Sequence, residues 1–365
     1  MKCMLLAAGS GERMRPLTDG RAKPSLPLLN RPIIVHTLDY LRRQGVREVV
    51  INLHHSPESI RAVVGDGSRV GLRVHYSEEI SILGTAGGLK RAEAHFRDAE
   101  HFLMINSDFS TDCDLRAAVR KHRESNALAT MVLAPLAPDT DYGVVEMGAH
   151  GRIQRIAGRP GRDADPRAGR YLFTGVHVLH PGILDAIPDR GRVEINRDIY
   201  PALIGAGREI RGHVHSGFWR EFGTPRHYLE GQIAMLRERM DPSLLSRQVA
   251  EGVYLDQVVL PAGTLLEPPV LVGRGTVIGR RCSLQGGAVI GKQARIGTSC
   301  ALRSTIVWDG ARIGDGARLS GCIVTSGVLV PDGLSLSDRI VLRVEGYQGR
   351  KDLVERLGSC YVASI

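Results

Sequence analysis

The chain has 365 residues, of which 43% are apolar and 24% charged, with a formal net charge of +9. That length supports two domains and a sizeable core, and the composition excludes a disordered or fibrous chain. Aromatics at 5% argue against a base-stacking single-strand binder. The arginines are dispersed rather than gathered in a run, so the charge points to anionic small molecules and not to nucleic acid. Six cysteines, none in CxxC spacing, give neither a zinc site nor a disulfide framework, and a reducing cytoplasm is expected. "MKCMLLAAG" is too short for a secretory apolar region, and no apolar run reaches membrane-spanning length.

Strand-like and helix-like segments alternate up to about residue 240. "CMLLAA" (3–8) reads as a buried strand, and "PIIVHTLDYLRRQG" (32–45) as a helix closed by Gly45. "EVVINL" (48–53) is the next strand, followed by a helix over 57–67 with Ser56 as its N-cap candidate. His54 and His55 are adjacent and read as loop residues, not metal ligands. "LRVHYSEE" (72–79) and "HFLMINSD" (101–108) are strands, and "GTAGGLKRAEAHF" (84–96) opens on glycines and becomes a helix. "TPRHYLEGQIAMLRERM" (224–240) is a helix with Thr224 at N-cap and Pro225 at N1. The alternation predicts an α/β domain with a mostly parallel, Rossmann-like sheet, whose ligand edge lies beyond the carboxyl ends of the strands.

From about residue 253 the period changes to six. Val272, Ile278, Leu284, Ile290, Ile296 and Leu302 recur at that spacing, and Gly273, Gly279, Gly291 and Gly297 follow four of them. The register slips by one and resumes at Val307, Ile313 and Leu319. This is the pattern of a parallel β-helix, with the apolar residue inside and the next residue at the corner. The expected domains are therefore 1–240, a linker at 241–255, the β-helix at 256–333 and a tail at 334–365. The tail has no period, and "GRKDLVERLG" (349–358) reads as one short helix.

"LLAAGSGERMRPLTDGRAKPSLPL" (5–28) leaves the first strand with two glycines and several cations. It lacks the Lys-Ser or Lys-Thr of a Walker loop, and Met14 stands where a dinucleotide fingerprint needs its third glycine. The residues fit a triphosphate cradle, in which Gly9 and Gly11 let the backbone approach phosphate and Arg13 and Lys23 supply charge. They fit equally a glycine turn carrying solvated arginines.

The stretch "AAGSGERMRPLT…AKPSLPL" resembles the signature of the sugar-1-phosphate nucleotidyltransferases. "ILGTAGGL" (82–89), "NSD" (106–108), "YGVV" (142–145), "FTGVHVL" (173–179) and "WREFGTPRHYL" (219–229) follow in the family's order. The second half resembles the left-handed β-helix of mannose-1-phosphate guanylyltransferase-like members. The resemblance implies transfer of a nucleotidyl group from an NTP to a sugar 1-phosphate, with Mg²⁺ as cofactor. GTP and mannose 1-phosphate are the expected pair. A UTP or dTTP enzyme and a catalytically weak, ligand-sensing subunit are the alternatives. An acetyltransferase activity in the β-helix would need a histidine there, and residues 228–365 contain none.

By the same resemblance, Leu6, Ala8, Gly9, Ser10 and Gly11 bind the nucleotide, the last three through main-chain groups. Arg13 takes the departing phosphates and Lys23 acts near the α-phosphate. Glu79, Gly84, Thr85 and Gly87 read the base, and Thr85 is a candidate cap of its helix. Asp108 is expected as a Mg²⁺ ligand, being a carboxylate at the end of an apolar strand. The second ligand is expected where this chain has Glu221 instead of aspartate. Gly143, Arg159, Thr174, Gly175 and Arg197 are the candidates for the sugar phosphate. Arg159 stands for the lysine of the family's "EKP", whose glutamate is replaced by Gly158. No membrane or nucleic-acid partner is expected, and the β-helix is a plausible route to a homo-oligomer.

Overall fold

The computed structural model describes residues 1–136, 143–160, 165, 167–238 and 248–365, with Arg159 and Pro160 described by their backbone only. Contacts divide the chain into two compact units. One comprises Met1–Ser10 and Ile34–Arg220, the other Gly11–Ile33 and Glu221–Ile365. The glycine-rich stretch after the first strand thus passes from one unit into the other.

The first unit is built on a ten-stranded sheet. Lys2–Leu6 lies between Glu48–Leu53 and Phe102–Asn106, parallel to both, and Arg73–Glu78 continues the parallel set on the far side of Glu48–Leu53. Cys3, Met4 and Leu5 are fully buried, as an apolar strand covered on both faces requires. Gly169–Leu179 pairs antiparallel with Phe102–Asn106, Ala129–Pro135 and Val144–Met147. The sheet is therefore mixed: its first half is parallel, and the long strand at 169–179 reverses its sense.

The helices follow the expected order with local differences. Ile33–Arg43 is helical and Gly45 adopts φ 90° just after it. Pro57–Val64 is helical, but Ser56 sits in a left-handed conformation and its side chain caps nothing. Gly84–Arg91 begins without a side-chain cap: Leu83 holds the N-cap position, and Thr85, already inside the helix, bonds Glu194 instead. Thr224 does cap Pro225–Arg237, its hydroxyl accepting the His227 N–H at 3.2 Å.

In the second unit, short parallel strands stack into three sheets that enclose one apolar column, the β-helix that the six-residue period predicts. Val270, Val277 and Ser283 each align with the residue eighteen positions later: Ala288, Arg295 and Ala301. Beyond that, Ala301 aligns with Arg318 and Ile306 with Ile323, seventeen apart. The first shortened rung loses its residue at the corner occupied by Ser304 (φ 46°) and Thr305, and the later rungs, which begin beyond that corner, keep the seventeen-residue length.

The glycines after the inward residues have a different cause from the expected corner turn. A Cβ at Gly279 would lie 2.5 Å from the carbonyl oxygen of Gly297 in the next rung, and one at Gly291 would lie 2.5 Å from the Asp309 nitrogen. These positions require glycine because the rungs touch there, backbone to backbone. The left-handed corners lie elsewhere, at Gly275, Arg281, Gln293, Ser299, Gly310 and Gly316.

Of the expected linker, residues 241–247 lie outside the described residues. Gln248–Ala250 pairs antiparallel with Val253–Leu255, which lies parallel to Val270–Val272. The short helix expected over 349–358 does not form. Lys351–Leu353 makes one 3₁₀ turn, and Glu355–Leu357 then pairs antiparallel with Cys360–Ser364. Gly358, at φ 57°, and Ser359 make the two-residue hairpin connection. Cys360–Ser364 in turn pairs with Arg339–Arg343, so the tail closes the edge of the last rung.

Residues 11–33 belong to this unit by direct contacts. Asn30 donates to the Ile290 carbonyl at 2.7 Å, the Leu29 N–H donates to Gln232 at 2.9 Å, and the Arg21 guanidinium lies 5.4 Å from the Trp308 ring centre. All six cysteines are buried, and none is in a disulfide.

Candidate active site

The loop after Lys2–Leu6 is fixed by a run of buried polar bonds that starts at Ala7. The Ala7 N–H donates to Asn52 Oδ1 at 2.7 Å, and Asn52 Nδ2 donates to Glu79 Oε1 at 2.7 Å. Glu79 Oε2 accepts the Leu83 N–H at 2.9 Å. A carboxylate only 4% exposed needs such donors to offset its desolvation. The effect is to tie the end of the first strand to the start of "GTAGG". In addition the Ser107 hydroxyl donates to the Leu6 carbonyl at 2.6 Å, holding the "NSD" segment against the same strand end.

Beyond Ala7 and Ala8, both buried, the chain opens at Gly9, where a Cβ would meet nothing within 4 Å. Ser10 is half-buried. Gly84 is left-handed at φ 75°, with the Val193 carbonyl 2.5 Å from where a Cβ would stand. Gly88 is equally constrained, since a Cβ there would lie 2.6 Å from Glu79 Oε1. Gly87 packs against the Leu83 side chain. Thr85 donates its hydroxyl to Glu194 at 3.0 Å and accepts the Ile195 N–H at 2.8 Å. Arg197, exposed and 3.4 Å from Asp198, follows that same Glu194–Ile195 segment.

Gly143, Thr174 and Gly175 come together at a break in the pairing of Gly169–Leu179 with Ala129–Pro135. The Phe173 N–H donates to the Gly143 carbonyl at 2.9 Å. Gly175, at φ 88°, leaves only 2.9 Å between its Cβ position and Asn106 Nδ2. Gly175 therefore sits against the first residue of "NSD", two positions before Asp108. The Thr174 hydroxyl donates to the Val132 carbonyl at 2.8 Å, and the Thr174 carbonyl accepts Trp219 Nε1–H at 2.9 Å. Arg159 lies in a short strand paired with Arg155–Ile156, and Gly158 before it is left-handed at φ 73°.

In the second unit, Gly11 is left-handed at φ 66° and leads into the 3₁₀ turn Glu12–Met14. Its carbonyl accepts the Thr18 hydroxyl at 2.9 Å. Lys23 is held in a second 3₁₀ turn, Lys23–Ser25, and is 9% exposed. Arg13 and Glu221 converge on Gly223: a Cβ there would lie 3.3 Å from Glu221 Oε1 and 3.5 Å from an Arg13 guanidinium nitrogen. His227 Nδ1 is 3.4 Å from the same Glu221 oxygen.

The model of the nucleotidyl transferase family matches residues 2–238. The chain belongs to this family. Its relatives include a mannose-1-phosphate guanylyltransferase of Mycobacterium tuberculosis, 30% identical over 82% of both chains. A mannose-1-phosphate guanylyltransferase of Arabidopsis thaliana is 29% identical, over 82% of this chain and 85% of its own. A UTP–glucose-1-phosphate uridylyltransferase of Synechocystis is 30% identical, over 85% of this chain and 83% of its own.

Two residues that shape this candidate site were not singled out in the sequence. Asn52 bridges Ala7 and Glu79, and Glu194 bridges Thr85 to the 195–199 turn. Asn52 had a detectable signal: it is a polar residue at an interior position of "EVVINL", 3% exposed, where only a specific partner justifies an amide. Among the described residues no helix is long and apolar enough to cross a membrane.

Proposed function

We propose that the protein joins GTP and mannose 1-phosphate to give GDP-mannose and pyrophosphate. The observation that carries this reading is the convergence of three motifs at the carboxyl ends of the parallel strands. The turn at Gly9, the Glu79-bracketed glycines at 84–88 and the "NSD" segment are locked to one another by hydrogen bonds through Leu6, Ala7, Asn52 and Glu79. That edge is where open α/β sheets bind ligands. The relatives named for mannose 1-phosphate support the substrate pair.

In the reaction, a phosphate oxygen of the sugar 1-phosphate attacks the α-phosphorus of the nucleotide. A new P–O bond forms, the bond to the α–β bridging oxygen breaks, and pyrophosphate leaves with that electron pair. Both reactants are anions, so charge repulsion is the main obstacle, and positioning with neutralisation is the catalytic task. Backbone N–H groups at 9–11 would cradle the triphosphate, with Leu6 and Ala8 lining its approach. Arg13 would hold the departing phosphates. Lys23, a cation largely withdrawn from water, would act on the α-phosphate with less screening than an exposed lysine.

The base would lie against Gly84–Gly87, and Thr85 shapes that backbone through Glu194. Gly143, Thr174 and Gly175 would receive the sugar through main-chain groups, since the Thr174 hydroxyl is committed to Val132. Arg159 and Arg197 would supply positive charge for the sugar phosphate. Asp108 and Glu221 offer hard carboxylate oxygens, the donor type that suits Mg²⁺. When bound, the ion would neutralise phosphate charge. A homo-oligomer formed through the β-helix belongs to the same reading, as does a cytoplasmic setting.

A uridylyltransferase is the second reading, favoured by the Synechocystis relative at equal identity. The deciding assay mixes purified protein and Mg²⁺ with each of four NTPs and a panel of sugar 1-phosphates, and measures pyrophosphate. Release with GTP and mannose 1-phosphate is expected. Release only with UTP and glucose 1-phosphate would select the second reading, and no release with any pair would overturn both.

A further inference from the structure

At the other edge of the same sheet, three metal-ligating side chains gather outside the site described above. Glu48 is the first residue of its strand and His75 the third of the neighbouring one. The register aligns Val50 with His75, so Glu48 and His75 point to the same face of the sheet, one diagonal step apart. His95 ends the 3₁₀ turn Glu93–His95 and reaches that face from outside the sheet. The ligand atoms of Glu48, His75 and His95 all lie within 4.8 Å of one another, the one such triple of His, Cys, Asp or Glu among the described residues.

We propose that Glu48, His75 and His95 form a binding site for a borderline transition-metal dication, with Zn²⁺ as its reference ion. The donor set is two imidazoles and one carboxylate, the combination that tetrahedral zinc accepts with its fourth position left to water. His75 Nε2 and Glu48 Oε1 are 3.6 Å apart. Two ligands on one zinc stand roughly 3.3 Å apart, given bonds of about 2.0–2.1 Å, so this pair is already near the required spacing. The imidazole rings of His75 and His95 have centroids 4.8 Å apart and planes tilted by 41°, so the rings do not stack face to face.

The surroundings pin the backbone and leave the side chains accessible. Lys2 donates to the His95 carbonyl at 2.8 Å and pairs with Asp98 at 2.7 Å, which fastens the 93–95 turn to the sheet edge. The second Glu48 oxygen faces Arg73 at 3.9 Å, leaving Oε1 toward the histidines. The His75 and Glu48 side chains are 36% and 20% exposed, which gives an ion a way in. Lys2 and Glu48 begin their strands, whereas the Gly9 turn and Asp108 follow strand ends. About 13 Å of strand therefore separates this triple from the nucleotide edge. Bound metal here would clamp two parallel strands to the turn that continues the "GTAGG" helix.

The test uses the full-length, chelator-treated protein titrated with ZnCl₂ by calorimetry and with CoCl₂ by absorption. One ion per chain is expected, and Co²⁺ should give the visible bands of a four-coordinate imidazole-containing complex. His75→Ala and His95→Ala should each weaken Zn²⁺ binding by ~100-fold or more and remove the Co²⁺ bands. Zn²⁺ should also raise the melting temperature of the wild type and not of either variant. Asp108→Asn should bind Zn²⁺ as the wild type does, separating this site from the nucleotide edge. If either alanine variant fails to fold without metal, His75→Gln and His95→Gln serve in its place. No uptake by the wild type, or an affinity and Co²⁺ spectrum unchanged in both histidine variants, overturns the proposal.

Discussion

Asp108 and Glu221 are the carboxylates on which the proposed metal chemistry rests. Asp108 follows an apolar strand and is held in place through its neighbour Ser107, whose hydroxyl is bonded to the first strand. Replacing it with alanine removes charge without cutting that bond. Asp108→Ala should lower pyrophosphate release by ~100-fold or more while leaving the thermal melt near wild type. A rate within a few-fold of wild type would remove Asp108 from the proposed metal set. Glu221 stands beside Arg13 and His227, and its carboxylate is one methylene further from the backbone than an aspartate would place it. Glu221→Asp is expected to keep or raise the rate at saturating Mg²⁺. A loss of tenfold or more would mean that this chain uses the longer side chain.

Among the elements, the β-helix separates two reasons for glycine. Gly279 has ordinary backbone angles and the Gly297 carbonyl 2.5 Å from its Cβ position. Gly310 has φ 70° and open space around it. Gly279→Ala must push two rungs apart and should cost about 2 kcal/mol or more, because neighbouring backbone cannot rotate away. Gly310→Ala pays only the left-handed strain of about 1–2 kcal/mol, a strain that Arg281, Gln293 and Ser299 already bear at equivalent corners. Denaturant melts of the two variants would rank them, and an equal or reversed order would refute the rung-contact explanation. The six-residue apolar period made the prism legible in the sequence. The cause of its glycines was not, because the sequence cannot show which atoms of the next rung lie above a given Cα.

For the whole molecule, buried neutral histidines link stability to pH. Burial lowers His177 from 6.5 to about 3, and its ring is bonded to the Tyr200 hydroxyl at 2.8 Å. Burial, with His101 and His180 nearby, lowers His122 from 6.5 to about 4. Above about pH 6.5 both are neutral folded or unfolded and contribute no slope. Below it the unfolded chain takes up protons that the folded chain refuses, so stability falls as pH drops from about 6.5 toward 4. The urea midpoint should therefore be lower at pH 5 than at pH 7, and the decrease should shrink in His122→Gln. A midpoint that is flat or rises on acidification would contradict this.

The order of strands and helices, the glycine turn after the first strand and the six-residue repeat were all set by local patterns. Apolar spacing, glycine placement and motif order act over a few residues and survive in one dimension. What depended on residues far apart in the chain needed the tertiary structure. The sheet turned mixed because Gly169–Leu179 entered it antiparallel. Thr85 turned from an expected cap into a partner of Glu194, more than a hundred positions away. Asn52, a single amide in an apolar strand, became the bridge between the first loop and Glu79. Buried polar groups must find donors and acceptors wherever the fold brings them, and those partners follow from topology rather than from sequence spacing.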